Sequence, residues 1–311
     1  MSQFITEAFV SQFNSNVMHL SQQQGSRLER TVKKVSIKGK IEYFDRIGQV
    51  AAIKKTGRHS STPQMDTPHG RRSVTTEDYQ WADMVDEEDK IRMLIDPTSD
   101  YALEAAWAFG RAKDDVIIAA ALGKAYSGTL GDNQSTVDLP NSQRLAATDG
   151  AGAFSNLNVR TLRQVKMKLD SKEVPDGKRY MAVTSSQIDS LLGQTQVTSQ
   201  EYNSVKALVQ GEVNTFMGFE FVRTERLPVE PAGTLASQTT GAVGAGDSVT
   251  GFRKCFAYTD SAIILAVGQD FMTKIDPRPD KSYATQVYAR MSIGATRMEE
   301  EQVVEVLCKE A

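Results

Sequence analysis

Hydrophobic positions along this 311-residue chain change period several times, and the changes mark its elements. In the first 24 residues, Phe4, Phe9, Phe13, Val17 and Leu20 recur at helical spacing in a Ser-, Gln- and Asn-rich segment, which predicts a helix or arm that docks on another surface. From about Ser99 to Tyr126 there is no proline, and Ala, Leu, Ile and charged helix formers dominate. Asp96-Pro97-Thr98-Ser99 supplies a turn and an N-cap before it, and the glycines around Gly128 and Gly131 end it. The run predicts a strut about 40 Å long with Trp107 and Phe109 as bulky anchors. Asn158 caps a second helix to about Lys172, with Val159, Leu162, Val165 and Leu169 on one face and five basic residues elsewhere. A strand at Tyr180 to Thr184 and a capped helix from Ser186 to Leu192 follow.

The last third reads as strands: Cys255 to Tyr258, Ala262 to Val267, Tyr283 to Ile293 and Val303 to Leu307. Gly294-Ala295-Thr296-Arg297-Met298-Glu299 forms a turn that feeds a short alternating strand at Val303 to Cys308. Residues 127–156 read as an irregular loop or small hairpin, and 229–251 as a surface loop with almost nothing to bury. Short strands alternating with helices predict a compact mixed domain, and no internal repeat is evident.

Charge divides what these patterns leave undivided. From Arg27 to Arg72 there are twelve Lys or Arg against four Asp or Glu, whereas Ser73 to Asp100 holds nine acids and two bases. Oppositely charged blocks this close neutralise each other within one subunit or, if the basic part projects, between neighbours. The basic block is punctuated by Gly57, Pro63, Pro68 and Gly70 and is poor in large apolar side chains after Ile53, which predicts an extended two-stranded loop with an irregular tip. Its Lys54, Lys55, Arg58, Arg71 and Arg72 suit either nucleic-acid phosphates or acids on another subunit. No aromatic side chain interleaves the cluster to stack on bases, which favours intersubunit pairing, with Asp86, Glu87, Glu88 and Asp89 as acidic acceptors. A formal net charge of -3 argues against a chain devoted to gripping nucleic acid.

Catalytic and cofactor signatures are incomplete. Gly241, Gly244 and Gly246 fit neither dinucleotide nor phosphate-loop spacing, and Gly246-Asp247-Ser248-Val249 lacks the second glycine of a nucleophile elbow. His59 and His69 near Asp66 make a weak metal pattern, and Cys255 and Cys308, without C-x-x-C spacing, read as buried reduced thiols. No catalytic, cofactor or metal residue is expected. Neither a basic-then-apolar start nor an apolar run near 20 residues occurs, so neither signal-directed export nor a membrane span is expected.

In order along nearly the whole chain, these segments resemble the major capsid proteins of tailed bacteriophages, the Hong Kong 97 type. GEVNTFMGFEFVRTERLP from Gly211 to Pro228, the Ala-rich helix, TPHGRR from Thr67 to Arg72, and GATRMEEEQVVEVL from Gly294 to Leu307 carry the resemblance. It implies an α+β fold with an N-terminal arm (1–34), an extended two-stranded loop (35–82) and a peripheral domain (83–158) whose spine helix covers about 99–126. An axial domain with a mixed sheet (159–270) carries a flexible loop at 229–251, and 271–311 supplies the returning peripheral strands. The function so implied is self-assembly into pentamers and hexamers of an icosahedral head around double-stranded DNA, contacted weakly. Assembly in the host cytoplasm, a portal, a separate scaffolding protein and a decoration protein belong to the same implication, with no enzyme activity, cofactor or membrane. Some members weld neighbours through Lys-to-Asn bonds; Lys54 and Lys55 lie in the matching loop, but Asn214 is the last asparagine, so a non-covalent shell is expected. A nanocompartment shell of the same fold (encapsulin-like) and a soluble enzyme with an unrecognised site are the alternatives. Enzyme cargo instead of DNA would mark the first, and an activity screen the second.

Overall fold

The computed structural model describes residues 21–58, 61–62, 64–86, 98–129, 134–149, 153–175, 177–194, 215–230 and 251–310. In chain order the elements are β1 (Lys33–Ser36), β2 (Ile41–Ile47), β3 (His69–Thr75), β4 (Glu77–Val85), α1 (Thr98–Leu122), β5 (Ala125–Ser127), β6 (Ser135–Val137) and β7 (Arg144–Ala146). They continue with α2 (Val159–Ser171), β8 (Arg179–Val183), α3 (Ser185–Leu192), β9 (Thr215–Phe216), β10 (Phe219–Arg223), β11 (Phe252–Thr259), β12 (Ile263–Arg278), β13 (Ala284–Arg297) and β14 (Val303–Lys309). The chain divides into two compact units: a smaller one from 1–26, 78–112 and 269–292, and a larger one from 27–77, 113–268 and 293–311. Residues 1–20 of the N-terminal helix or arm, the run Glu87 to Asp89 and residues 231–250 of the loop, with Gly241, Gly244 and Gly246, fall outside the described residues.

The larger unit is organised by a six-stranded mixed sheet in the order β7-β14-β11-β8-β10-β9. Six of the seven residues of β14 are buried, so this strand is covered on both faces and does not alternate as the sequence predicts. Glu305 interrupts the apolar run; it is buried and paired with Arg144 at 3.1 Å, a solution that leaves the strand central. Although grouped by sequence with 271–311, β14 pairs here with β11 and β7. The cysteines are free and buried, Cys255 on β11 and Cys308 on β14, two positions apart diagonally in the ladder.

Local chemistry explains the helices and turns around this sheet. Asn158 caps α2, its Oδ1 accepting from the Thr161 amide at 2.7 Å, and Leu162, Val165 and Leu169 are buried as their spacing predicts. Thr184 and Gln187 form a capping box at the start of α3. Met217 and Gly218 both have positive φ, 53° and 88°, as a two-residue hairpin turn between β9 and β10 requires.

The helix expected to reach Tyr126 stops at Leu122, with the Gly123 amide closing the last turn on Ala119 O at 2.8 Å. Residues 125–127 are drawn instead into strand pairing, with β6 on one side and β3 on the other, so tertiary ladder bonds override local helix propensity. The region 127–156 is accordingly more regular than expected: it holds β6 and β7 as well as loops. A four-stranded sheet has the order β1-β12-β13-β4, and in the smaller unit Phe109 of α1 packs against Phe271 with ring centroids 5.4 Å apart. Residues 22–25 lie along α1 there: Gln22 donates to Glu104, Arg111 donates to Gln22, and a Cβ at Gly110 would overlap the Gly25 backbone.

Candidate interaction surface

An antiparallel hairpin projects the basic block of the sequence. Strands β2 and β3 are in register from Ile41 opposite Thr75 to Ile47 opposite His69, a ladder about 23 Å long. At its far end the Gly48 amide bonds Pro68 O at 2.8 Å, and the connecting segment beyond it is exposed wherever it is described. Apolar side chains are left open there, Ile47 at 68%, Val50 at 50%, Ile53 at 60% and Met65 at 44% exposure. One chain alone does not cover them. Lys54, Lys55 and Arg58 share this exposed segment, as the sequence predicts for a projecting basic loop.

Arg71 and Arg72 have different surroundings, because neighbouring residues on a strand face opposite ways. Arg71 is exposed and bound to Asp45 across the ladder, Nε to Oδ1 at 2.6 Å, with its guanidinium 5.6 Å from the centre of the Tyr43 ring. The hydrogen bond from Arg71 holds the Asp45 carboxyl below its ordinary value and raises Arg71 in turn. Arg72, expected at an interface, is wholly buried in its own subunit. Its Nη2 donates to Glu300 and its Nε to Met298 O at 3.3 Å. The correction follows from the pleat: the face carrying Arg72 packs on the turn after β13, and burial is the main cause lowering the Arg72 pKa.

The other expected site residues are less fully placed. Asp86 is exposed just after β4, and Glu87, Glu88 and Asp89 lie outside the described residues. Trp107 is half-buried on α1 and Phe109 is buried. Sequence reasoning missed Arg46, Arg297 and Glu300. Arg297 is wholly buried and donates to Ala121 O at 2.8 Å and Gly123 O at 2.9 Å, and Arg46 donates to Met298 O at 2.9 Å. The available signal was an arginine within the apolar β13 pattern, separated only by Met298 from the acidic triplet Glu299-Glu300-Glu301.

Two open grooves accompany the hairpin in the larger unit. One of about 520 Å³ at the hairpin is lined by Asp45, His69, Arg71 and Ser127, and one of about 1010 Å³ follows α2 past Arg160, Arg163, Lys166 and Met167. Among the described residues no cluster of three or more His, Cys, Asp or Glu has metal-binding geometry, and no helix is long and apolar enough to cross a membrane.

A projecting hairpin with uncovered apolar side chains and a mixed sheet is the arrangement on which the comparisons bear. The family model described as phage capsid protein matches residues 5–310. The chain belongs to that family. Among curated proteins no sequence matches significantly. Solved structures agree on the fold: the capsid of the cyanophage P-SCSP1u superposes with a TM-score of 0.71 at 16% identity, covering 99% of this chain and 95% of that one. The capsid asymmetric unit of cyanophage Pam1 gives 0.69 at 14% identity over 98% and 97% of the two chains. The acid-stable capsid of Helicobacter pylori bacteriophage KHP30 gives 0.66 at 10% identity over 100% and 98%. The α+β fold expected from the sequence is thus the Hong Kong 97-type capsid fold, and this phage capsid protein is a structural component of the virion shell.

Proposed function

We propose that this major capsid protein tiles with copies of itself, as pentamers and hexamers, into an icosahedral phage head that encloses double-stranded DNA. The observation that supports the reading most is family membership over residues 5–310, joined to a hairpin whose apolar and basic side chains are left uncovered by their own subunit. In this reading β2 and β3 are the extended loop, with Lys54, Lys55, Arg58 and Arg71 facing acids of a neighbour, Asp86, Glu87, Glu88 and Asp89 among them. α1 is the spine of the peripheral domain, and the six-stranded sheet is the body of the axial domain. Many modest contacts repeated around a closed shell make the whole far more stable than one interface. The role is structural rather than enzymatic. A portal, a separate scaffolding protein and a decoration protein complete the particle.

Negative-stain microscopy of the overexpressed full chain, alone and with a scaffolding protein co-expressed, tests this. Uniform closed particles or capsomer rings are expected, releasing single subunits without a covalent ladder in denaturing gels. Dispersed monomers in both settings would sink the reading, and particles filled with an enzyme instead of DNA would move it to a nanocompartment.

A further inference from the structure

Three arginines meet one carboxylate beside the β2–β3 ladder, toward the end from which the connecting segment 48–68 departs. Arg46 comes from β2, Arg72 from β3 and Arg297 from the end of β13, and Glu300 lies in the turn that follows. Glu300 accepts from Arg72, lies 3.7 Å from Arg46 Nη1 and 3.8 Å from Arg297 Nε. Both Arg72 and Arg297 are wholly buried, and burial is the leading cause that lowers their pKa, with Glu300 opposing it in each. Guanidinium stays protonated in proteins, so the interior of this unit carries two full positive charges. Arg297 is further satisfied by four backbone carbonyls, Ala120, Ala121 and Gly123 at the C-terminus of α1 and Val137 of β6, where the helix dipole is negative. Arg72 has one such bond, from Nε to Met298 O at 3.3 Å, and its Nη1 finds no hydrogen-bond partner among the described residues. The carboxylate of Glu300 is therefore the charged group that, beside the Met298 carbonyl that Arg46 and Arg72 also reach, holds both strands of the hairpin to the turn after β13.

We propose that Glu300 is a positioning residue for the hairpin: it clasps Arg46 and Arg72 together and so fixes the direction in which the connecting segment beyond Gly48 leaves the ladder. Other anchors hold the start of the ladder: Val74 packs with Ile37 and Ala266, with Phe44 against them. β3 shares two residue pairs with β5, and Gly294 passes so close to β3 that a Cβ there would overlap the Thr75 carbonyl. The connecting segment is a long lever, and a small rotation of the ladder at the clasp moves Lys54, Lys55 and Arg58 far from any fixed target. The clasp ties the end of α1, through Arg297, to the same point, which accounts physically for the Arg297-to-Glu300 portion of the C-terminal segment. Only the purpose assigned to the hairpin rests on the shell reading; the clasp itself is testable on an unassembled subunit.

Hydrogen exchange of the full-length soluble subunit, compared with Glu300→Gln, tests the clasp. Removing the charge while keeping the volume is expected to speed exchange of the amides in 41–47 and 69–75 by about tenfold or more, while 252–259 and 303–309 stay within about twofold. An unchanged hairpin, or an equal rise in every strand, overturns the proposal. Should Glu300→Gln not fold, Arg46→Gln decides, since Arg46 is partly exposed: a rise of about threefold confined to the hairpin is expected, and no rise overturns it. In an assembly assay, folded Glu300→Gln subunits are expected to give open or irregular particles where the parent gives closed ones. Normal closed particles would also overturn the proposal. Failure of the parent itself to assemble would count against the shell reading alone, because the exchange result does not depend on it.

Discussion

Asp114 lies wholly buried in the second half of α1 and directs its carboxylate at backbone: the amides of Arg27 and Leu28 donate to it at 3.1 Å. The bond fastens the segment that follows residue 26 at the point where it reaches the larger unit. Nothing in the local sequence Lys113-Asp114-Asp115 distinguishes the buried acid from its exposed neighbour, because charge and helix propensity are the same for both. The distinction is made by what packs on each face, and it carries a measurable consequence. Replacing Asp114 with Ala leaves the amides of Arg27 and Leu28 without this acceptor, and is expected to cost about 3 kcal/mol in urea unfolding. Asp114→Asn keeps one acceptor oxygen and is expected to lose about half as much. Equal and small losses for both would show the segment to be held by packing instead. Arg297 and Arg72 follow the same logic with opposite charge: their sequence context reads as surface, and only the fold reveals that one caps a helix and the other closes a hairpin.

At the scale of elements, legibility followed how local the cause is. Helices α2 and α3 and strand β8 were readable almost to the residue because their caps and apolar faces lie within their own sequence. The end of α1 was misread by about a turn, since Lys124 to Tyr126 are drawn out of the helix by β3 and β6, one of them far away in sequence. The apolar character of β14 was visible, but its central place depends on β7 and β11 lying either side of it, and its burial on both faces on what packs above and below the sheet. The projecting hairpin was legible as a unit from charge and Gly-Pro punctuation, and its side chains were not, because a strand turns successive residues to opposite faces. That difference predicts separate phenotypes within one hairpin. Charge reversal of Lys54, Lys55 and Arg58 together touches exposed side chains, so the subunit's unfolding midpoint is expected to stay within about 0.5 kcal/mol of the parent. Assembly, read by sedimentation, is expected to fall by about tenfold or more, as like charges meet across copies. Assembly undiminished by that triple change would remove the basic loop from the interface.

For the whole molecule, the family was legible because the order of segments along 311 residues carries more information than any single motif. Its response to pH follows from carboxylates that no motif singles out. Hydrogen bonds from Arg253 hold Glu310 below its ordinary pKa and tie the end of β14 to β11 and to the cap of α3. Burial pushes Glu29 up, but its bonds to Lys113 and Lys34 outweigh that and leave it lowered. Asp280, bonded to Arg278 near the tip of the β12–β13 hairpin, is lowered to about 2. A depressed carboxyl stabilises the fold above its unfolded pKa of about 4 and loses that contribution as pH falls toward the folded value. Glu305 acts with the opposite sign: burial raises it, so its charged form costs stability above its folded pKa, and acid relieves that cost. With Asp45, four lowered carboxyls against one raised make the balance acid-labile. The urea midpoint of the subunit is expected to be level near neutrality and to fall steadily from about pH 5 toward pH 2. Glu310→Gln should lower the neutral plateau and shallow the acid slope, since the lost bonds are those that titrate. A midpoint that rises on acidification would mean that relief at Glu305 outweighs the surface pairs, and that the buried Arg144–Glu305 contact is a net cost to the fold.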